Sequence, residues 1–148
     1  MVKLFDNRLK RDNASIDEET RLKDDLYERV LEKFGFSSKP EPTLENLNRI
    51  YKSWCRSVGY DNLLKRIYYG RGETGPFPVM NPNDFVSTWL AHNTSGSCWP
   101  TAEALYQILT KSGYDVERVS CEMLNCGDPM RPNHGTCFVH LGGKVYFV

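Results

Sequence analysis

The chain has 148 residues, of which 40% are hydrophobic and 26% charged, and its 19 basic residues are balanced by 19 acidic ones. That length holds one ordinary domain or slightly more, the composition excludes a disordered chain, and zero net charge excludes the basic field of a nucleic-acid binder. No stretch approaches the roughly 18 apolar residues of a membrane span, and Met1-Val2-Lys3-Leu4-Phe5-Asp6 lacks a signal peptide's apolar run. The expectation is a cytoplasmic protein with no membrane partner.

Arg8, Lys10 and Arg11 sit beside Asp6 and Asp12 and read as a solvated terminus. Ser15 and Glu18 form a capping-box pattern, and Leu22, Leu26, Tyr27, Val30, Leu31 and Phe34 predict a first helix ending at Gly35. Pro40 and Pro42 mark a linker over residues 37–42. Thr43 caps a second helix with Leu44, Leu47, Ile50, Tyr51, Trp54 and Val58 on one side. Residues 70–82 hold three glycines and three prolines and read as irregular, before a short helix from about Asp84 carrying Phe85, Trp89 and Leu90.

Cys98 opens the next helix: Pro100 suits a first turn, Ala102, Leu105, Tyr106 and Leu109 repeat at helical spacing, and Gly113 stops it. The period then changes to two. Val119, Cys121 and Met123 predict a strand over residues 116–124, residues 125–133 a loop, and residues 136–141 a second strand. Gly142-Gly143 is a tight turn into a third strand over residues 144–148. The pattern is α+β: helices over residues 1–95, then the Cys98 helix and its strands over residues 96–148. Three strands leave edges and one face uncovered, so the sheet is expected to continue in a longer protein.

The five cysteines are an odd set without a Cys-x-x-Cys pair, which argues against a disulfide framework and a zinc site. The sequons at Asn13 and Asn93 then carry no glycan. A free cysteine is most often a small buried hydrophobe, but Cys98 stands at a helix start, where the dipole favours thiolate, behind a Gly-containing loop. A thiol nucleophile needs an imidazole to take and return its proton. His134 opens the second strand, His140 lies about 20 Å further along it, and His92 closes the short helix. Only one of the two strand histidines can be near Cys98.

Taken in order, Phe34-Gly35-Phe36, Pro42-Thr43-Leu44-Glu45-Asn46-Leu47, Val58-Gly59-Tyr60-Asp61-Asn62-Leu63, Gly96-x-Cys98 and the His134 strand resemble the arylamine N-acetyltransferases. The third block is similar to that family's Val-Pro-Phe-Glu-Asn-Leu. The resemblance covers about four-fifths of the chain, from Leu31 onward. It implies a helical first domain, the start of an antiparallel β-barrel and a cysteine-protease-like Cys-His-Asp core. Carried over, Cys98 is the nucleophile, His134 the general base and Tyr60 an aromatic residue beside the substrate cleft. The family's Asp falls at the position after Val148, which again implies the N-terminal portion of a longer protein.

The implied reaction takes an acetyl group from acetyl-CoA, as acyl-donor substrate and without metal, to a small-molecule amine, arylamine or hydrazine through a Cys98 thioester. The nucleophile loop departs from the family's Arg-Gly-Gly-x-Cys-x-Glu, reading Thr94-Ser95-Gly96-Ser97-Cys98-Trp99-Pro100. Gly96-x-Cys98-Trp99 also resembles transglutaminase-like enzymes, which use the same residue order. The alternatives are thus an amide-forming cysteine enzyme on the same thiol, or a non-catalytic binding module that keeps the Cys and His alone. Nothing in the pattern sets the oligomeric state.

Overall fold

The computed structural model describes residues 18–72, 81–121 and 133–148. After a 3₁₀ turn over Glu18–Thr20 come α1 (Asp24–Lys33), α2 (Leu44–Ser57), α3 (Leu63–Gly70), α4 (Pro82–His92) and α5 (Cys98–Lys111). Three strands follow, β1 (Asp115–Cys121), β2 (His134–Leu141) and β3 (Lys144–Phe147), in one antiparallel sheet of order β1-β2-β3.

The first helix begins later than its apolar repeat suggests. Lys23 is its N-cap and gives no side-chain bond, while Ser15 lies outside the described residues. Two buried amides claim the backbone before it. Gln107 Oε1 accepts from Leu22 N at 2.6 Å and its Nε2 donates to Thr20 O at 3.0 Å. Asn83 Oδ1 accepts from Lys23 N at 2.8 Å and its Nδ2 donates to Arg21 O at 3.0 Å. With Leu22 N, Lys23 N, Thr20 O and Arg21 O bound to side chains of α4 and α5, the helix opens only with the bond from Tyr27 N to Lys23 O at 3.0 Å.

The second helix starts as expected, Thr43 Oγ1 accepting from Asn46 N at 3.2 Å, though Leu44 is largely exposed. Helix α4 is likewise capped by Asn81, which accepts from Asn83 N at 2.9 Å, with Pro82 in the first turn. Helix α3 carries no start signal of the ordinary kind, because Asn62 at its N-cap makes no side-chain bond. Asp61, one residue earlier, accepts from Leu63 N at 3.0 Å instead.

Trp54, Phe85, Trp89 and Phe34 form the aromatic centre of the helical part, with ring separations of 5.7 Å for Trp54 to Trp89 and 6.0 Å for Phe34 to Trp89. One hydrophobic core runs from this centre through α5 to Cys137 and Val139 of β2. Helix α5 packs on α4 along one side and on β1 and β2 along another.

The strands begin and end a little differently from the alternation. Cys121 pairs with His134 and Asp115 with His140, so β2 starts two residues before Thr136. Met123 and residues 125–132 lie outside the described residues. Gly142 and Gly143 have φ of 59° and 73°, the left-handed pair that a two-residue hairpin turn requires. Across that turn Phe138 opposes Phe147 and His140 opposes Val145.

The two sheet faces are distinct. Cys137 Sγ donates to Ala102 O at 3.3 Å, and Arg118 holds Glu103 through contacts of 2.7 and 2.9 Å, so residues of this parity face α5. Cys121, Val119, His134, Thr136 and Phe138 alternate to the other face.

Candidate functional site

Cys98 is the first residue of α5, and Ser97 before it, with φ −75° and ψ 175°, offers no side-chain cap. The first amides of the helix are therefore not consumed by a capping hydroxyl, and Pro100 contributes none. Thr101 ties the turn down instead, its hydroxyl donating to Ser97 O at 2.5 Å, with Cys98 O 3.1 Å away. The thiol is half-buried and its Sγ lies 3.9 Å from Asn133 O, the carbonyl just before His134.

A flat contact fixes that corner. A Cβ on Gly135 would stand 2.7 Å from the Trp99 ring, so the ring lies against the β2 backbone with no room for a side chain. Glycine inside a strand signals such close approach. At the same corner Asn133 N donates to Cys121 O at 3.1 Å, and Cys121 Sγ donates to His134 O at 3.6 Å. The Cys121 thiol is pushed up first by burial and then by the proximity of Cys98. The Cys98 thiol thus lies close to a side chain on the His134 face of the sheet.

The three histidines separate cleanly. His134 is at the Cys98 end of β2. His140 is at the far end, opposite Asp115, with Nε2 3.3 Å from Glu117 Oε1 but out of line for a good hydrogen bond. His92 is the exposed last residue of α4. Of the three histidines, His134 alone stands at the Cys98 end, one residue after the Asn133 carbonyl that lies 3.9 Å from the thiol.

Tyr60 is 79% exposed and forms an isolated parallel bridge with Gly96. Around it the chain laces the loop before Cys98 to the segment before α3. Asp61 Oδ2 accepts from Ser95 N at 2.7 Å, and Asp61 N donates to Gly96 O at 3.3 Å. Ser95 Oγ accepts from Gly59 N at 2.8 Å. Gly96 is wedged so closely that a Cβ would meet the Phe85 ring at 2.8 Å. Asp61, Ser95, Trp99 and Gly135 shape this candidate site, and the sequence reading gave none of them a role in it. An Asx pattern from Asp61 to Leu63 and a glycine between His134 and the strand predicted over residues 136–141 are the signals that point to two of them.

Elsewhere α5 is fixed by chemistry unsuited to reaction. Cys137 is buried and its thiol pushed up to about 12, chiefly by that burial. Arg118 pairs with Glu103 and stacks 4.2 Å from the Tyr106 ring centroid. Among the described residues there is no group of three or more His, Cys, Asp or Glu side chains fit for a metal, and no helix long and apolar enough to cross a membrane.

No family model and no curated protein sequence matches this chain. Solved structures do. An arylamine N-acetyltransferase from Bacillus cereus, described as having a Cys-His-Glu catalytic triad, superposes with a TM-score of 0.61 at 19% identity, covering 83% of this chain and 47% of its own. Arylamine N-acetyltransferase from M. tuberculosis gives a TM-score of 0.61 at 18% identity over 81% of this chain and 45% of its own. The chain has the mixed α+β fold of these acetyltransferases and spans about half their length.

Proposed function

We propose that this chain carries the nucleophile and base of an acyltransferase that moves an acetyl group from acetyl-CoA to an amine, arylamine or hydrazine through a thioester on Cys98. The observation that carries the reading is the Cys98 thiol at the start of α5, 3.9 Å from the carbonyl that precedes His134. The fold shared with acetyltransferases supports it.

In this reading His134 takes the Cys98 proton, and the thiolate attacks the donor's thioester carbonyl. The oxyanion is met by the uncapped amides at the start of α5, that of Cys98 included. Collapse expels the CoA thiolate, which receives the proton from His134. The acceptor amine then attacks the Cys98 thioester, losing a proton to His134 as the thiolate leaves. Tyr60, exposed beside Gly96, offers an aromatic face to the acceptor. The strand register also bears on an orienting acid. Val148 exchanges backbone bonds with Cys137, so a residue continuing β3 would oppose Thr136 on the His134 face.

The test is peptide mapping after incubation with acetyl-CoA. Acetyl is expected on the Cys98 peptide, absent in Cys98→Ala, and discharged by an added aromatic amine. Intact, alkylatable Cys98 that takes no acetyl from acetyl-CoA would overturn the assignment of the donor.

A further inference from the structure

The nucleophile loop spans residues 93–97, and its conformation is not set by its own sequence. Asn93 adopts left-handed φ of 52°, Thr94 Oγ1 is buried with no hydrogen-bond partner among the described residues, and Ser97 does not cap α5. What fixes it comes from more than thirty residues upstream. Asp61 binds it from both sides, its carboxylate accepting from Ser95 N at 2.7 Å and its own amide donating to Gly96 O at 3.3 Å. The second carboxylate oxygen accepts from Leu63 N at 3.0 Å, which ties the same group to the first turn of α3.

We infer that Asp61 is a positioning residue for Cys98, clamping the loop so that the first turn of α5 presents the thiol and its amides in reactive geometry. The inference rests on the reading of Cys98 as the nucleophile. A carboxylate is suited to the task because both oxygens accept, and charge-assisted bonds to backbone amides are stronger than neutral ones. Asparagine has the same shape but one acceptor. Whichever way its amide turns, either Ser95 N or Leu63 N faces an N–H group. The clamp then opens on the loop side or on the α3 side.

The experiment is the pH profile of Cys98 alkylation by iodoacetamide in the 148-residue chain, resolved by peptide mapping. Fastest labelling at Cys98 in the unsubstituted chain tests the nucleophile reading by itself, so its failure is separable from any effect at Asp61. Asp61→Asn is expected to slow Cys98 labelling at neutral pH by roughly three- to tenfold and to move the profile's midpoint upward, as amides at the helix start lose their alignment. Tyr114→Phe removes a hydrogen bond to Thr43 O beyond the far end of α5 and controls for lost stability; its Cys98 profile stays unshifted. If Asp61→Asn does not fold, Asp61→Glu is profiled in its place. It sets the carboxylate one methylene out of register, with the same upward shift expected. A profile that superimposes on that of the unsubstituted chain, in whichever variant folds, overturns the inference, as does an equal shift in Tyr114→Phe.

Discussion

The two ends of α5 are held by different means. Its C-terminal half is sunk in hydrocarbon, with Ile108 and Leu109 fully buried. It is pinned by the bond between Tyr27 Oη and Ser112 Oγ at 2.9 Å, beside Tyr114, which donates to Thr43 O at 2.9 Å. Its N-terminal end meets a backbone-level lattice instead: Asp61 and Ser95 on the loop side, the Trp99 ring against Gly135 on the strand side. Burial holds the first end with non-directional force, whereas the second depends on a few directional contacts. The two ends of one helix are thereby held by different forces, and substitutions can separate them.

The sharpest separation is at the histidines. His134→Ala is expected to cut acetylation of Cys98 by about 10²- to 10⁴-fold, the range for losing a general base, and to leave the thermal midpoint nearly unchanged. His140→Ala, at the far end of β2, leaves the acetylation rate alone. A larger rate loss in His140→Ala, measured by the same adduct assay, breaks the comparison. At the opposite extreme Trp89→Ala empties the aromatic centre between Phe34 and Trp54. It should cost about 3–5 kcal/mol in urea unfolding.

Gly135→Ala probes the seam between the two regimes. The added methyl must displace the Trp99 ring, an overpacking expected to cost about 1–3 kcal/mol. Because the ring is attached next to Cys98, labelling of that thiol should slow as well. Destabilisation with an unchanged labelling rate would mean that the ring contact supports only the fold.

The smallest effect is at alkaline pH. Burial pushes Tyr114 up to about 12 from its ordinary 10, so the folded state holds the phenol proton more tightly than the unfolded one. That contribution is complete below pH 10 and is lost as pH rises from about 10 towards 12. In Tyr114→Phe the decline of the urea midpoint across this window should be shallower than in the unsubstituted chain.

What the sequence made legible follows the same division. Thr43 and Gly142-Gly143 act on their own neighbours, so the start of α2 and the β-hairpin could be read locally, whereas α4 starts at Pro82, two residues before the expected Asp84, because Asn81 caps it. The start of α1 could not, because Gln107 and Asn83 take its backbone groups from more than fifty residues away. Helix α3 escaped notice because Asp61 supports it from outside the usual capping position. For the site, the placement of Cys98 at a helix start and His134 at a strand start was visible in periodicity. The clamp that holds the loop was not, since neither Asp61 nor Ser95 belongs to a local pattern that mentions the other.

The contact between Trp99 and Gly135 also gives the molecule an optical division of labour. The chain has three tryptophans, and Trp54 and Trp89 share the buried aromatic centre while Trp99 lies partly exposed where α5 meets β2. Emission from the first two reports melting of the hydrocarbon interior, and emission from the third reports separation of helix from strand. Subtracting the spectrum of Trp99→Phe isolates the corner's signal, so movement of α5 against β2 can be followed without an attached dye.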